Sequence, residues 1–237
     1  MATQRERSPA SFGMELTCGA AAQLVLLATL AASVGLGTLG WLAGIAYTAG
    51  LCALLTVAGR RAAIRVLGPA NRITLGRATL VGCVTALVAD GFVEGTHTTV
   101  LVGLAAIALA LDAVDGHVAR RTGTASALGA RFDMEVDAFL ILVLSAFAAS
   151  FLGAWVLAIG AMRYAFVAAA QVLNWLREPL PPRFGRKVVA ALQGVVLVIA
   201  SADVLPRPGA VMAVGGALVL LVWSFGRDVA WLYRRRS

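Results

Sequence analysis

The sequence predicts an all-α protein, a polytopic helical bundle that crosses a membrane several times. Hydrophobic residues make up 60% of the 237 positions, and the mean hydropathy is +0.86. Apolar runs of about 20 residues recur along the chain, and each is long enough to cross a bilayer as a helix. These runs do not show the alternating polarity of membrane strands, so helices are the spanning structure that the pattern supports.

The N-terminal region predicts a polar tail followed by a transmembrane hairpin. Residues 1–15 are polar and are expected to form a cytoplasmic tail. Two apolar segments, 16–34 and 38–58, follow and are joined by a short glycine-containing turn. The hairpin, residues 16–58, contains no charged residue and no polar group expected to reach a site. We therefore expect it to serve in packing or oligomerisation and to be dispensable for chemistry.

Six further helices are predicted in a transmembrane domain at 59–233, which is followed by a basic tail at 234–237. Polar, glycine-rich or proline-rich stretches interrupt helices and set their boundaries. The predicted helices cover residues 71–89, 99–120, 129–150, 154–176 and 187–202, and the last one ends at residue 227. These six form the core, and the hairpin adds two more. An even number of spans places both termini on the same side of the membrane.

The distribution of arginine predicts the orientation of the bundle. The net charge of +8 comes almost wholly from arginine, and nearly all basic residues fall on one side of the predicted spans. The opposite side carries Arg207 and several acids. By the positive-inside rule the basic side is cytoplasmic, and the excess indicates contact with anionic membrane lipid, not nucleic acid. We predict a multi-pass protein of the cell (inner or plasma) membrane.

Four aspartates lie close together between apolar segments: Asp112, Asp115, Asp133 and Asp137. The first two are three residues apart and the last two are four apart, so each pair shares one face of its helix. Because the linker between the two helices is short, their aspartate-bearing ends are expected to meet. A carboxylate within a bilayer is costly unless it is paired, solvated or bound to a cation.

Such a cluster predicts a metal site at the cytoplasmic side. Carboxylate oxygens without histidine or cysteine suit Mg²⁺ or Mn²⁺. Two metals held by bridging carboxylates can stabilise phosphoryl displacement. The alternative is that Arg120, Arg121 and Arg131 neutralise the carboxylates.

Small residues beside the aspartates leave room for a ligand. Gly116, Ala119 and Gly129 would let a flat or bulky ligand approach the backbone. Arg120, one turn beyond Gly116, could bind a diphosphate through two N–H groups. The alternative for the small residues is close packing of helices.

The pattern Asp112-x-x-Asp115-Gly116-x-x-Ala119-Arg120, then eight residues to Gly129, then Asp133 and Asp137, resembles the signature of the CDP-alcohol phosphotransferase (CDP-alcohol phosphatidyltransferase) family. The resemblance implies a six-helix core over about 69–233 and leaves the hairpin outside. It implies a homodimer that moves a phosphatidyl group from a CDP-linked donor such as CDP-diacylglycerol to an alcohol in phospholipid biosynthesis. CMP is the product released.

The resemblance also implies roles for individual residues. Asp112, Asp115 and Asp133 are metal ligands, and two Mg²⁺ or Mn²⁺ ions are expected per site. Asp137 is the base that deprotonates the acceptor hydroxyl and a further metal ligand. The residues implied to bind the CDP part of the donor or its phosphates are Gly116, Ala119, Arg120, Ser126, Gly129, Asn71, Thr74 and Arg77.

The acceptor is less closely specified. Ala138 follows the last aspartate, where family members that use phosphorylated acceptors often carry lysine or arginine. Other cations could replace it: Arg163, Arg183, Arg186 and Lys187. Such a pocket would favour a small phosphorylated alcohol, with glycerol 3-phosphate first and inositol phosphate second. The alternative is that Arg163 neutralises a buried acid such as Glu135, and that the other cations follow the positive-inside rule.

Two other functional classes are alternatives to a transferase. In a cation-coupled transporter the acids would line an ion pathway. A pathway requires polar residues across its full depth, whereas these acids collect toward one end. A non-catalytic membrane scaffold that keeps the motif is the other alternative.

Overall fold

A computed structural model describes residues 11–62, 67–95, 97–122, 126–178, 180 and 184–235. Within these ranges every regular element is helical, which confirms the predicted all-α class. The α-helices are α1 (Ser11–Val34), α2 (Thr38–Arg61), α3 (Pro69–Gly91), α4 (Thr98–Thr122), α5 (Ala127–Leu152), α6 (Leu157–Val172), α7 (Phe184–Ser201) and α8 (Arg207–Arg234). Two short 3-10 helices, Ala154–Val156 and Asn174–Arg177, flank α6.

Six of these helices are long and apolar enough to cross a membrane: α1, α2, α3, α5, α6 with the 3-10 turn before it, and α8. The apolar part of α4 is shorter, Thr98–Val114, because aspartates and arginines occupy the rest of the helix. The multi-pass character is therefore confirmed. Eight spans were predicted, and length and composition support six within the described ranges.

Several helix boundaries differ from the sequence-based prediction, and α1 begins at Ser11 instead of residue 16. The segment predicted as one helix at 154–176 is interrupted at Leu173, whose backbone is extended. Arg177 explains the break, because its Nε donates to the carbonyl of Ala170 at 2.7 Å and its Nη2 to that of Gln171 at 3.0 Å. These bonds satisfy carbonyls that the end of α6 would otherwise leave without a partner.

The last helix is longer than predicted. It continues seven residues past Arg227 to Arg234, because Asp228 and Leu232 are buried, at 5% and 1% exposure. Arg227 lies over the ring of Trp223 at 4.7 Å, one helical turn earlier along the same face. The polar residues of this segment are therefore part of the helix and not a tail.

The chain divides into two compact units after Asp137. In the first unit α3 lies at the centre and contacts α1, α2 and α4. Burial reflects this position, since 72% of the apolar section of α3 is buried, against 17% and 22% for α1 and α2. Asp90, near the end of α3, accepts hydrogen bonds from the N–H groups of Gly37 at 3.0 Å and Gly40 at 3.3 Å. This carboxylate caps the start of α2, whose N-cap glycine has no side chain for the purpose.

The second unit contains the rest of α5 and the helices α6 to α8. Gly160 of α6 packs on Leu142, where a Cβ would lie 2.5 Å from a backbone carbon of α5. Gln193 of α7 is buried and donates to the carbonyl of Ala217 in α8 at 2.9 Å. Small residues and one side-chain bond to the backbone thus allow these helices to approach closely.

Candidate metal and donor site

Three helices of the first unit bring charged side chains together. Arg77 comes from α3, Asp112 from α4, and Asp133 and Asp137 from the start of α5. The guanidinium of Arg77 forms ion pairs with all three carboxylates. Its Nη2 lies 2.6 Å from Asp133 and 2.9 Å from Asp137, and its Nη1 pairs with Asp112. The side chain of Arg77 is 1% exposed, which follows from the central position of α3.

The three carboxylates form a compact acidic group. Asp112, Asp133 and Asp137 each offer an oxygen, and these oxygens lie within 4.8 Å of one another. The side chains are 34–39% exposed, so a ligand can reach them. With Arg77, the four ionised side chains carry a formal charge of −2. A divalent cation would compensate that charge.

The donor set fits a hard divalent cation. Opposite oxygen ligands of an octahedral Mg²⁺ are about 4.2 Å apart, and the three carboxylate oxygens all lie within a limit of 4.8 Å of one another. Each carboxylate has two oxygens with several lone pairs, so pairing with Arg77 leaves acceptor capacity for an ion. Three of the four aspartates that were predicted to meet therefore lie together in the structure. The side chain of Asp115, the fourth, lies outside the described part of the chain.

A second group of predicted site residues lies where α3 meets the start of α5. Asn71 and Thr74 are buried on α3, at 7% and 3% exposure. A Cβ on Gly129 would overlap the side-chain oxygen of Asn71, so glycine is required for this approach. Ser126 accepts a hydrogen bond from the Gly129 N–H at 3.0 Å and so caps α5.

The other predicted donor residues lie on α4. Gly116, one turn after Asp112, is half-buried. Ala119 and Arg120 belong to the same helix, and their side chains lie outside the described residues. Arg121 and Arg131, which were considered as neutralising partners, are exposed. Arg77 was predicted to bind the donor phosphates. Its pairing with the aspartates was not predicted, because it depends on how three helices pack.

The predicted acceptor residues belong to the second unit, except Arg183, which lies outside the described ranges. Arg163 is half-buried on α6, and Lys187 is exposed on α7. The Nε of Arg186 lies 3.4 Å from a carboxylate oxygen of Asp228, whose side chain is 7% exposed. Glu135, the acid named as a possible partner of Arg163, is exposed on α5.

Asp228 is a charged residue that the sequence analysis missed. It was placed in a polar tail because an arginine precedes it. The signal that could have found it is the apolar pattern that continues after it, Val229, Ala230, Trp231 and Leu232, which extends α8.

Comparison with known proteins agrees with this geometry. A family model for CDP-alcohol phosphatidyltransferase matches residues 67–225, well over half of the chain. The match begins just before α3, includes Arg77 and all four aspartates, and leaves the N-terminal hairpin outside. No curated protein and no solved structure matches the chain. The family transfers a substituted phosphate group from a CDP-alcohol to a second alcohol and generally uses divalent metals. The chain belongs to the CDP-alcohol phosphatidyltransferase family.

Proposed function

We propose that this protein is a Mg²⁺-dependent phosphatidyltransferase of phospholipid biosynthesis. It moves the phosphatidyl group of CDP-diacylglycerol to a small alcohol and releases CMP. The observation that carries the proposal is the convergence of three carboxylates within 4.8 Å, inside the part of the chain that the family model matches. The proposal includes a homodimer in the cell (inner or plasma) membrane with its site facing the cytoplasm, as the basic loops and the family resemblance suggest.

The carboxylates would hold the metal. Asp112, Asp133 and Asp137 supply the described oxygens, and Asp115 joins them by the family resemblance. We assign two ions, Mg²⁺ or Mn²⁺, to the site. When bound, such ions neutralise the charge of a diphosphate and stabilise the charge that develops during phosphoryl displacement. The exposure of about a third of each carboxylate side chain supports access from outside the protein.

Residues of α3, α4 and α5 would bind the donor. Arg77 holds the carboxylates in place and presents a buried positive charge beside them. Arg120 would contact the diphosphate, and Gly116 and Ala119 would leave space beside it. Ser126 uses its oxygen to cap α5, which leaves its O–H free to donate to the donor nucleotide. Asn71, Thr74 and Gly129 would complete the CDP site at the junction of α3 and α5.

Asp137 would act as the base. Its carboxylate accepts the proton of the acceptor hydroxyl as the acceptor oxygen forms a bond to the phosphorus of the phosphatidyl group. The bond from that phosphorus to the oxygen of the CMP phosphate breaks, and CMP leaves. Arg77 orients the Asp137 carboxylate through the ion pair at 2.9 Å. A base that is held in position by a buried partner loses little freedom when it reacts.

The acceptor would be a phosphorylated alcohol, with glycerol 3-phosphate the first choice and inositol phosphate the second. Arg163, Arg183, Arg186 and Lys187 are the cations assigned to its phosphate. Arg186 supports this assignment, because its pairing with Asp228 at 3.4 Å fixes the guanidinium and leaves it 30% exposed. An oriented, accessible guanidinium suits phosphate recognition.

The test is CMP release by the purified, folded protein in lipid nanodiscs. The donor is CDP-diacylglycerol, the metal is Mg²⁺, and the acceptors are glycerol 3-phosphate, inositol phosphate, free inositol, glycerol and serine. We expect CMP release to require a divalent cation and to be fastest with a phosphorylated acceptor. Asp112→Asn is the inactive control. Absence of CMP release with every acceptor would overturn the proposed reaction, and a preference for an uncharged alcohol would overturn the acceptor assignment.

A further inference from the structure

Glu15 joins the N-terminal hairpin to the start of α3. It lies in the first turns of α1, and its side chain is 14% exposed. One carboxylate oxygen accepts from Arg72, from Nε at 2.8 Å and from Nη2 at 2.6 Å. The other oxygen accepts from the backbone N–H of Leu67 at 2.8 Å. A single carboxylate therefore binds the main chain before α3 and a side chain in its first turn.

The start of α3 needs such a partner. The N-cap residue, Gly68, makes no side-chain cap bond, and Pro69 follows it. Leu67 is 1% exposed, so its N–H cannot rely on water, and a buried N–H without a partner is costly. The N-terminal end of a helix also attracts negative charge. Glu15, which belongs to α1, supplies both the acceptor for the Leu67 N–H and the negative charge at the start of α3.

The bound end of α3 is close to the candidate site. At 100° per residue, Arg72 lies about 160° around α3 from the centre of the face that Asn71, Thr74 and Arg77 share. Arg77 follows Arg72 by five residues, about 7.5 Å along the helix axis. A shift or rotation of the first turn of α3 would therefore move both the Asn71 contact with α5 and the guanidinium that pairs with the aspartates.

We propose that Glu15 is a positioning residue for the donor site. It fixes the axial and rotational setting of α3 and thereby places Asn71 and Arg77 against α4 and α5. The effect expected on the kinetics of the enzyme rests on the proposed function. Glu15 was assigned to the polar tail at 1–15, whereas the structure includes it in α1, which lies outside the family match.

The kinetic test compares substitutions that remove different parts of the contact. Glu15→Ala loses both partners, Arg72→Ala keeps the bond to Leu67, and Glu15→Gln keeps an acceptor oxygen but loses the charge. We expect the donor KM to rise about tenfold in Glu15→Ala, as for loss of a strong helix cap, with the acceptor KM unchanged. The rise should be smaller in Glu15→Gln and Arg72→Ala. Thr17→Ala, on the same turn of α1, is the control.

A second measurement needs no activity. Hydrogen exchange of the backbone amides at residues 67–77 should become about tenfold faster in Glu15→Ala and stay at the wild-type rate in Thr17→Ala. Unchanged exchange in Glu15→Ala, or an equal rise in donor and acceptor KM, would overturn the positioning role. Absence of CMP release by the wild-type protein would overturn the proposed function instead, and the exchange result would still decide whether Glu15 fixes α3.

Discussion

Replacement of Arg77 by methionine is the sharpest test of the charge balance at the candidate site. Methionine fills much of the same volume and removes the guanidinium that pairs with Asp112, Asp133 and Asp137. At the 4.8 Å limit that encloses the three oxygens, one carboxylate pair repels by about 0.9 kcal/mol in water and about 3.5 kcal/mol at an effective dielectric constant of about 20.

The lower end of that range applies, because each carboxylate is about a third exposed and is screened by solvent. Three pairs then give about 3 kcal/mol of repulsion, which the guanidinium of Arg77 compensates in the wild type and which the carboxylates of the variant can reduce only by moving apart. We therefore expect the free energy of unfolding of Arg77→Met to fall by about 1–3 kcal/mol without divalent metal. For a chain of this size that corresponds to a Tm lower by about 2–10 °C.

The assay is thermal denaturation in detergent, in EDTA and in Mg²⁺. A cation that binds these oxygens compensates their charge, so Mg²⁺ should raise the Tm of Arg77→Met more than that of the wild type. Arg131→Met removes an exposed arginine from the same end of α5 and is the matched control. A wild-type Tm for Arg77→Met in EDTA, or the same Mg²⁺-dependent shift in both proteins, would refute the reasoning.

Four further substitutions test separate parts of the site. Asp137→Asn should abolish turnover and spare donor binding, whereas Asp115→Asn should weaken both metal and donor binding; equal donor affinities in the two variants would contradict these roles. Gly129→Ala should raise the donor KM by about tenfold, because the added Cβ overlaps a buried side-chain oxygen of α3. Gly103→Ala is the control and should leave the donor KM unchanged, because its Cβ meets open space. Arg186→Gln should raise the acceptor KM about tenfold and leave the donor KM unchanged, because it loses a charge-assisted contact to phosphate. Unchanged acceptor kinetics would show that Arg186 does not belong to the acceptor site.

Local spacing made much of the architecture predictable. The apolar runs gave the helices to within a few residues at most boundaries, because length and hydropathy are properties of the segment itself. The spacing of Asp112, Asp133 and Asp137 likewise placed them on helix faces that could meet. These inferences needed only the helical period and a short linker between α4 and α5.

The remaining features depend on contacts between residues distant in sequence. Arg77 pairs with aspartates 35 and 56 residues away, and Glu15 binds an arginine 57 residues away. Glu15 was assigned to a tail because it precedes the first apolar run. Arg177 ended α6 through bonds to backbone carbonyls, which the helical period does not encode. Arg77 and Glu15 therefore meet their partners only through tertiary packing, whereas Arg177 bonds to carbonyls six and seven residues earlier.

The two carboxylates that bind α3 and the hairpin to each other also bear on how the protein enters the membrane. Glu15 is bound at the beginning of α3, and Asp90, near its end, accepts the N–H groups at the start of α2. The ribosome releases the hairpin before α3, so the turn that receives Asp90 is synthesised before this carboxylate. A hairpin with no charged residue inside it inserts readily, whereas α3 carries Asn71, Arg77 and Asp90 into the bilayer. We therefore expect the hairpin to offer a packing surface for α3 during synthesis, so that this more polar helix can fold without exposing its charges to lipid.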